Sequence, residues 1–200
     1  MAAAAINGKI SYIEASDDPL SADIGIVRAE SGVWLYDVGC GEKNIEGLSG
    51  SYSIVLSHFH QDHTGNLDRL RADALYVSRE TFNHVGRGTV VESGLRMGGL
   101  MVFPIPSSHA RGCLGLEVDE EYAFVGDALY SKVRDGFYVY NAQLLRAEIE
   151  VLKALKAPRL LVSHFKGLTR DRKEVLEELA EIYAMRDRNS SEIRVRIENS

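Results

Sequence analysis

The run "SIVLSHFHQDH" (53–63) carries an apolar, strand-like segment straight into three histidines and an aspartate packed within six positions. The chain has 6 His among 200 residues, so half of them stand here. At its own His and Asp frequencies, H-x-H-x-D-H arises by chance in roughly 3 of ten thousand such chains. Donors this close together suit a metal, but a metal needs further ligands. A fold that serves this segment must therefore bring other chain segments to the same place.

The remaining donors stand where such a fold would need them. His58 ends the strand-like run, and His60, two residues on, projects to the same side of an extended backbone. Asp62 and His63 sit where the chain turns into a helix. His109 follows "LMVFPIPS", Asp127 ends "YAFVG" and His164 ends "RLLVS". Four separate strands thus deliver a ligand-type residue at their C-terminal ends, where sites are usually built on a rigid scaffold. Seven donors exceed the four of one tetrahedral zinc and suit two metals sharing ligands and a bridging water. A lone histidine at a strand end is ordinarily a satisfied core or surface residue; the cluster is what changes that reading. His84, in the turn-rich "TFNHVGRG", has no such context and reads as a surface residue. Asp37, in "LYDVG", reads either as a turn residue or as a support behind the metal loop.

The rest of the pattern gives a fold class. "GKISYIEA", "ADIGIVRAE" and "GVWLYDVG" alternate as strands, and "SIVLS" is a continuous apolar run suited to burial on both faces. "TGNLDRLRAD", with Leu67 and Leu70 three apart, reads as a short helix. "ALYVS", "LMVFPIPS", "LGLEVD", "YAFVGD" and "RLLVSHF" read as further strands. "NAQLLRAEIEVLKALKAP" is the clearest helix, with Pro158 past its end, and "DRKEVLEELAEIYAMRD" is a second. The tail "SEIRVRIENS" fits either an edge strand or disorder. Strands first and helices later point to two sheets face to face with helices outside.

With no repeat or linker, residues 1–200 read as a single domain, large enough to bury a core. "MAAAAINGKI" lacks a basic n-region, and no run approaches a membrane span, so a cytoplasmic protein with no membrane partner is expected. Cys40 and Cys113 make no disulfide framework and read as reduced thiols. A net charge of −6 argues against gripping a polyanion, so a small-molecule substrate is expected and nucleic acid is not.

The whole set of motifs resembles the metallo-β-lactamase superfamily: an Asp after a strand (Asp37), "HFHQDH" (58–63), His109 in "SSHARG", Asp127 in "VGDALY" and His164 in "VSHFKG". The resemblance runs from residue 37 to 164. It implies a four-layer αβ/βα sandwich of two mixed sheets, with helices on the outer faces and a metal pair at one edge. By that resemblance His58, His60 and His109 hold one metal, Asp62, His63 and His164 the other, and Asp127 bridges, with Asp37 supporting the ligand loop from behind. Two zinc ions are implied, with iron or manganese as alternatives.

Among relatives, lactamases with a cysteine ligand fit poorly, because neither cysteine falls at the ligand positions. Flavo-di-iron reductases carry a Glu where His60 stands. "DHTGN" and "GDALY" resemble hydroxyacylglutathione hydrolases, but only 36 residues follow His164, short of their helical extension. Nucleic-acid-processing members add inserts that are absent here. Acyl-homoserine lactone hydrolases share the bridging Asp, and Tyr130 is an analogue of their tyrosine near the site.

The implied enzyme is a hydrolase that uses a zinc-bridged hydroxide on a small ester, thioester or lactone. Asp62 or Asp127 takes up the proton, and Arg111 and Lys166 flank ligands where they could receive an anionic group of the substrate. Three alternatives remain at this point: a phosphodiesterase of the same fold, a mononuclear iron dioxygenase of the persulfide type, and a non-catalytic module stabilised by its metals.

Overall fold

The computed structural model describes residues 3–197. Seven strands form the first sheet, in the order Ala4–Ala5, Ile10–Ile13, Ile24–Ala29, Gly32–Tyr36, Ser51–Val55, Arg71–Val77 and Thr89–Val90. Six form the second, in the order Leu95–Met97, Leu100–Ile105, Cys113–Val118, Tyr122–Gly126, Arg159–Val162 and Thr169–Asp171. Both are mixed. In the first, Gly32–Tyr36, Ser51–Val55, Arg71–Val77 and Thr89–Val90 run parallel to one another and the other pairings are antiparallel. The second is antiparallel except where Tyr122–Gly126 pairs with Arg159–Val162. Four α-helices accompany them among the described residues: α1 (Gln61–Thr64), α2 (Arg79–Val85), α3 (Ala142–Ala154) and α4 (Arg172–Ala184). None is long and apolar enough to cross a membrane.

Side-chain alternation places the layers. Val27, Trp34, Tyr36 and Val55 of the first sheet meet Leu114, Leu116, Phe124 and Leu161 of the second in one apolar cluster. At Gly25 the sheets approach so closely that an added Cβ would lie 2.4 Å from the Phe124 ring, so only glycine fits there. On the outer face of the second sheet, Val125, Leu160 and Val162 pack against Leu145, Ile149 and Leu152 of α3 and Val175 and Leu179 of α4. On the outer face of the first, Leu35, Ile54, Leu75 and Val77 lie under Leu67 and the partly buried Phe82 and Val85 of α2. The result is the four-layer αβ/βα sandwich that the motif pattern implied.

The long helices form where the sequence marks them. Asn141 accepts from the N–H groups of Gln143 and Leu144 to start α3, and Asp171 does the same for Lys173 and Glu174 at α4. Elsewhere the local signals mislead. Leu67 and Leu70 do not mark a helix: Leu67–Arg69 is one 3₁₀ turn, and the strand starts at Arg71. The segment around His84 is helical rather than turn-rich, since Ser78 accepts from the Thr81 N–H and Gly86 closes α2 in the left-handed conformation. Lys132–Arg134 and Phe137–Asn141 form a hairpin around Asp135-Gly136, a two-residue turn signal that the strand reading above passes over, and Glu192–Arg196 of the tail pairs with its second strand. The last residues of that tail, 198–200, lie outside the described residues.

One buried group strains this arrangement. Glu148 of α3 is 1 % exposed, and its Oε1 has no hydrogen-bond partner among the described residues. Burial raises its pKa well above the usual carboxyl range. The folded state therefore holds this proton more tightly than the unfolded chain. The associated stability is present below the unfolded carboxyl pKa and lost as pH rises, by up to about 1.4 kcal/mol per pH unit. Glu148→Met removes the titration, so its melting temperature should exceed wild type by at least ~3 °C more at pH 8 than at pH 5. An equal difference at both pH values, read by calorimetry, contradicts this.

Candidate metal centre

One parallel strand pair in each sheet sets the site. These pairs align Tyr36 with Val55 and Gly126 with Val162, so the loops leaving these strands emerge together at one edge of the sandwich. Asp37, the segment 58–63, Asp127 and His164 all stand on those loops, and His109 arrives on the loop after Ile105. Gly126 turns the chain into this edge with φ 55°, where a Cβ would sit 2.8 Å from Ser57 Cβ. Hydrogen bonds from Leu114 N–H to Ser57 O (2.8 Å) and from Ser163 N–H to Gly126 O (3.1 Å) stitch the loops together.

Seven of the expected donors meet there, in two groups. The ligating atoms of His58, His60 and His109 lie within 4.8 Å of one another, and so do those of Asp62, His63, Asp127 and His164. Asp127 joins the groups: its Oδ2 is 3.4 Å from His109 Nε2, 3.3 Å from His63 Nε2 and 3.9 Å from His164 Nε2. Asp62 Oδ2 is 3.2 Å from His164 Nε2 and 3.5 Å from His63 Nε2.

Hydrogen bonds aim these side chains. Asp37 is fully buried and holds a left-handed backbone (φ 61°). Its Oδ1 accepts from the Ser57 N–H (2.7 Å), and its Oδ2 lies 2.7 Å from His63 Nδ1. Ser57 Oγ is 3.0 Å from His58 Nδ1. With both Nδ1 atoms so engaged, the Nε2 atoms of His58 and His63 are left for the centre. His164, also left-handed (φ 59°), donates its N–H to Asp23 Oδ2 at 2.8 Å. Asp23 accepts from Ala15 N–H and Ser163 Oγ as well, and burial raises its pKa against these bonds. Ser107 Oγ accepts from the His109 N–H. Sequence reasoning misses Asp23, Ser57 and Ser107. Ser57 could have been found by its place between strand and motif, but Asp23 is 141 positions from His164 and shows no local signal.

The electrostatics divide as the geometry does. Burial and neighbouring histidines lower the pKa of His58, and burial is also the main cause for His60 and His109, so this group is neutral. Burial works against the His63 cation too, but the Asp37 and Asp127 carboxylates outweigh it and push its pKa up to about 10. The hydrogen bond to Asp62 raises that of His164. Burial would raise the Asp62 pKa, yet His164 and His63 hold it below the usual carboxylate range.

A pair of cations fits this set. His58 Nε2, His63 Nε2 and Asp127 Oδ1 are buried without a hydrogen-bond partner among the described residues, a cost that folding normally avoids. His60 Nδ1 and His109 Nε2 face each other at 3.2 Å, both from low-pKa rings. Nitrogen and carboxylate donors left open in this way are what metal coordination satisfies.

The other expected residues lie around this core. Tyr130 donates its hydroxyl to Ser163 O (2.8 Å), linking the Asp127 and His164 loops, and its ring is 6.4 Å from that of His109. Arg111 borders a cleft of about 390 Å³ beside His109. Lys166 borders another, of about 380 Å³, that includes His164. His84 belongs to neither donor group; it is exposed and stacks on Phe59 at 4.1 Å. Cys40 and Cys113 are unpaired and outside both groups.

No family model matches the chain, and no curated protein matches it. Solved structures do. The DIM-1 metallo-β-lactamase superposes with TM-score 0.68 at 12% identity, over 92% of this chain and 96% of its own. A metallo-β-lactamase from Hirschia baltica gives 0.65 at 13%, over 91% and 97%. An archaeal metallo-β-lactamase superfamily protein from Sulfolobus tokodaii gives 0.57 at 19%, over 87% and 86%. The architecture is the metallo-β-lactamase fold, as the sequence motifs implied, and a His/Asp cluster able to hold metal stands at its edge.

Proposed function

We propose that the chain is a metal-dependent hydrolase carrying two zinc ions and acting on a small ester, thioester or lactone. The observation that carries this reading is Asp127 Oδ2, which lies within 3.9 Å of histidine nitrogens from both donor groups. One metal would be held by His58, His60 and His109, the other by Asp62, His63 and His164, with Asp127 shared. All are nitrogen or carboxylate ligands, a set that suits zinc. When bound, such a pair supplies a water ionised near neutral pH and a Lewis acid for a carbonyl oxygen.

The chain's own groups do the rest. Asp37 keeps the His63 Nδ1 proton directed away from the centre, and Asp23 keeps the His164 backbone in place. Hydrolysis forms a C–O bond from water and breaks the acyl C–O or C–S bond. Asp62 Oδ2 or Asp127 Oδ1 takes the water's proton and returns it to the departing alkoxide or thiolate. Likeness to proteins named metallo-β-lactamases supports attack on a carbonyl carbon. The small clefts bordered by the His164 and His109 loops support a small-molecule substrate.

The test is turnover of matched aryl ester, thioester, lactone and phosphodiester probes before and after chelation. The expected result is hydrolysis of acyl probes that chelation abolishes and zinc restores. Preference for the phosphodiester, or acyl hydrolysis that survives metal removal, contradicts the proposal. Alkylation of Cys40 should leave the rate unchanged.

A further inference from the structure

The cleft beside the His109 loop has a charge balance opposite to that of the chain as a whole. The chain is acidic overall, with 29 Asp and Glu against 23 Lys and Arg. Yet this cleft is lined by Arg111, Lys132 and Arg134 with a single acid, Glu192. Glu192 is already engaged, 2.5 Å from Arg134 Nη2. Among the described residues neither Arg111 nor Lys132 has a carboxylate within ion-pair distance, so two exposed cations share one concavity uncompensated. The cleft that includes His164 has the reverse balance, with Glu14, Asp17 and Asp23 against Lys166.

The cationic cleft abuts the loop that carries His109, although His109 itself is not part of its lining. Ser108 and Ala110, the neighbours of His109 in the chain, form its wall, and Arg111 is two residues from His109, within about 7 Å along the backbone. The opposite wall is the hairpin Lys132–Arg134 and Phe137–Asn141, which belongs to neither main sheet. Ser108 Oγ accepts from the Asn141 N–H at 2.9 Å, fastening that wall to the His109 loop. Val133 and Leu144, 66 % and 37 % exposed, turn apolar surface into the same space.

Resting on the hydrolase reading above, we infer that this cleft is the substrate's anion site. It takes an acyl group bearing a carboxylate or phosphate at its far end, held by Arg111 and Lys132, with the short apolar stem against Val133 and Leu144. The two clefts then orient the substrate by charge. The anionic end lies on the His109 side, and the leaving group faces the acid-lined His164 side. Guanidinium and ammonium groups both recognise carboxylate and phosphate, so the terminal group is left to measurement.

The test is calorimetric binding of butyrate, glutarate and 4-phosphonobutyrate to the protein as purified. All three share one carboxylate end, and the last two add a distal anion. Glutarate or 4-phosphonobutyrate should bind about tenfold tighter than butyrate, with the advantage shrinking as salt is raised. Whichever of the two gains more names the terminal group. Arg111→Ala and Lys132→Ala should each remove most of the advantage and leave butyrate unaffected, while Lys153→Ala on α3 keeps it. Equal binding of all three acids, or an advantage that survives both substitutions, overturns the inference. Turnover of 4-nitrophenyl butyrate against mono-4-nitrophenyl glutarate separates the two proposals. Hydrolysis of neither, with the glutarate binding advantage intact, removes the hydrolase reading and supports the anion site.

Discussion

Asp127→Ala loses metal from the Asp62, His63 and His164 group and slows turnover about 10²-fold or more. The carboxylate reaches nitrogens of both groups, so its removal uncovers charge in both at once. The first group keeps its three histidines. The second keeps only Asp62, His63 and His164, and the last of these depends on Asp23 for its backbone placement. A metal typically contributes several kcal/mol to transition-state charge, and a 10²-fold loss corresponds to about 2.7 kcal/mol. His84→Ala serves as the histidine control, since it stands outside both groups. Metal analysis and turnover of one aryl ester read the outcome. If His84→Ala loses metal while Asp127→Ala keeps two, the ligand assignment is wrong.

Asp37→Asn weakens the second metal about 10–100-fold while the fold survives. Asparagine tolerates the left-handed backbone at this position, and its amide oxygen can still accept from the Ser57 N–H. The amide nitrogen, however, now faces His63 Nδ1, where a carboxylate oxygen lay 2.7 Å away. An N–H donor there makes Nδ1 the acceptor and moves the ring proton to Nε2, the atom aimed at the centre. The variant therefore favours a ring proton on the atom that must bind metal, whereas in the wild type the proton that stays when metal binds is the Nδ1 proton held by Asp37. Competition with a chromophoric chelator measures the affinity of each site. A folded Asn variant that binds both metals as wild type does would show that Asp37 plays no part in aiming His63.

What was legible in the sequence follows from chemistry that restricts residue type. Few side chains bind metals, so His58, His60, His63, His109, Asp62, Asp127 and His164 stood out by identity and by their places after apolar runs. The sandwich was legible because strands such as Ile24–Ala29 alternate faces and α3 keeps its apolar stripe. Support from distant residues was not legible. Asp23 reads as the start of a strand, and its bond to His164 exists only once the two sheets meet. The Lys132–Asn141 hairpin was marked only by its Asp135-Gly136 turn, because its first strand is three residues long and exposed throughout, too short to show alternation. Local spacing misled at Leu67 and Leu70 because one turn cannot distinguish a 3₁₀ turn from a helix. At α2, the Ser78 cap and Gly86 were present in the sequence, but seven residues are too few to show a period.

The central claim is that the two donor groups hold two metals. It is tested most directly by metal identity and stoichiometry in protein purified without added metal. Close to two zinc ions per chain are expected, falling to about one in Asp127→Ala. One iron per chain, or a fully folded chain with no bound metal and no zinc uptake, would contradict it.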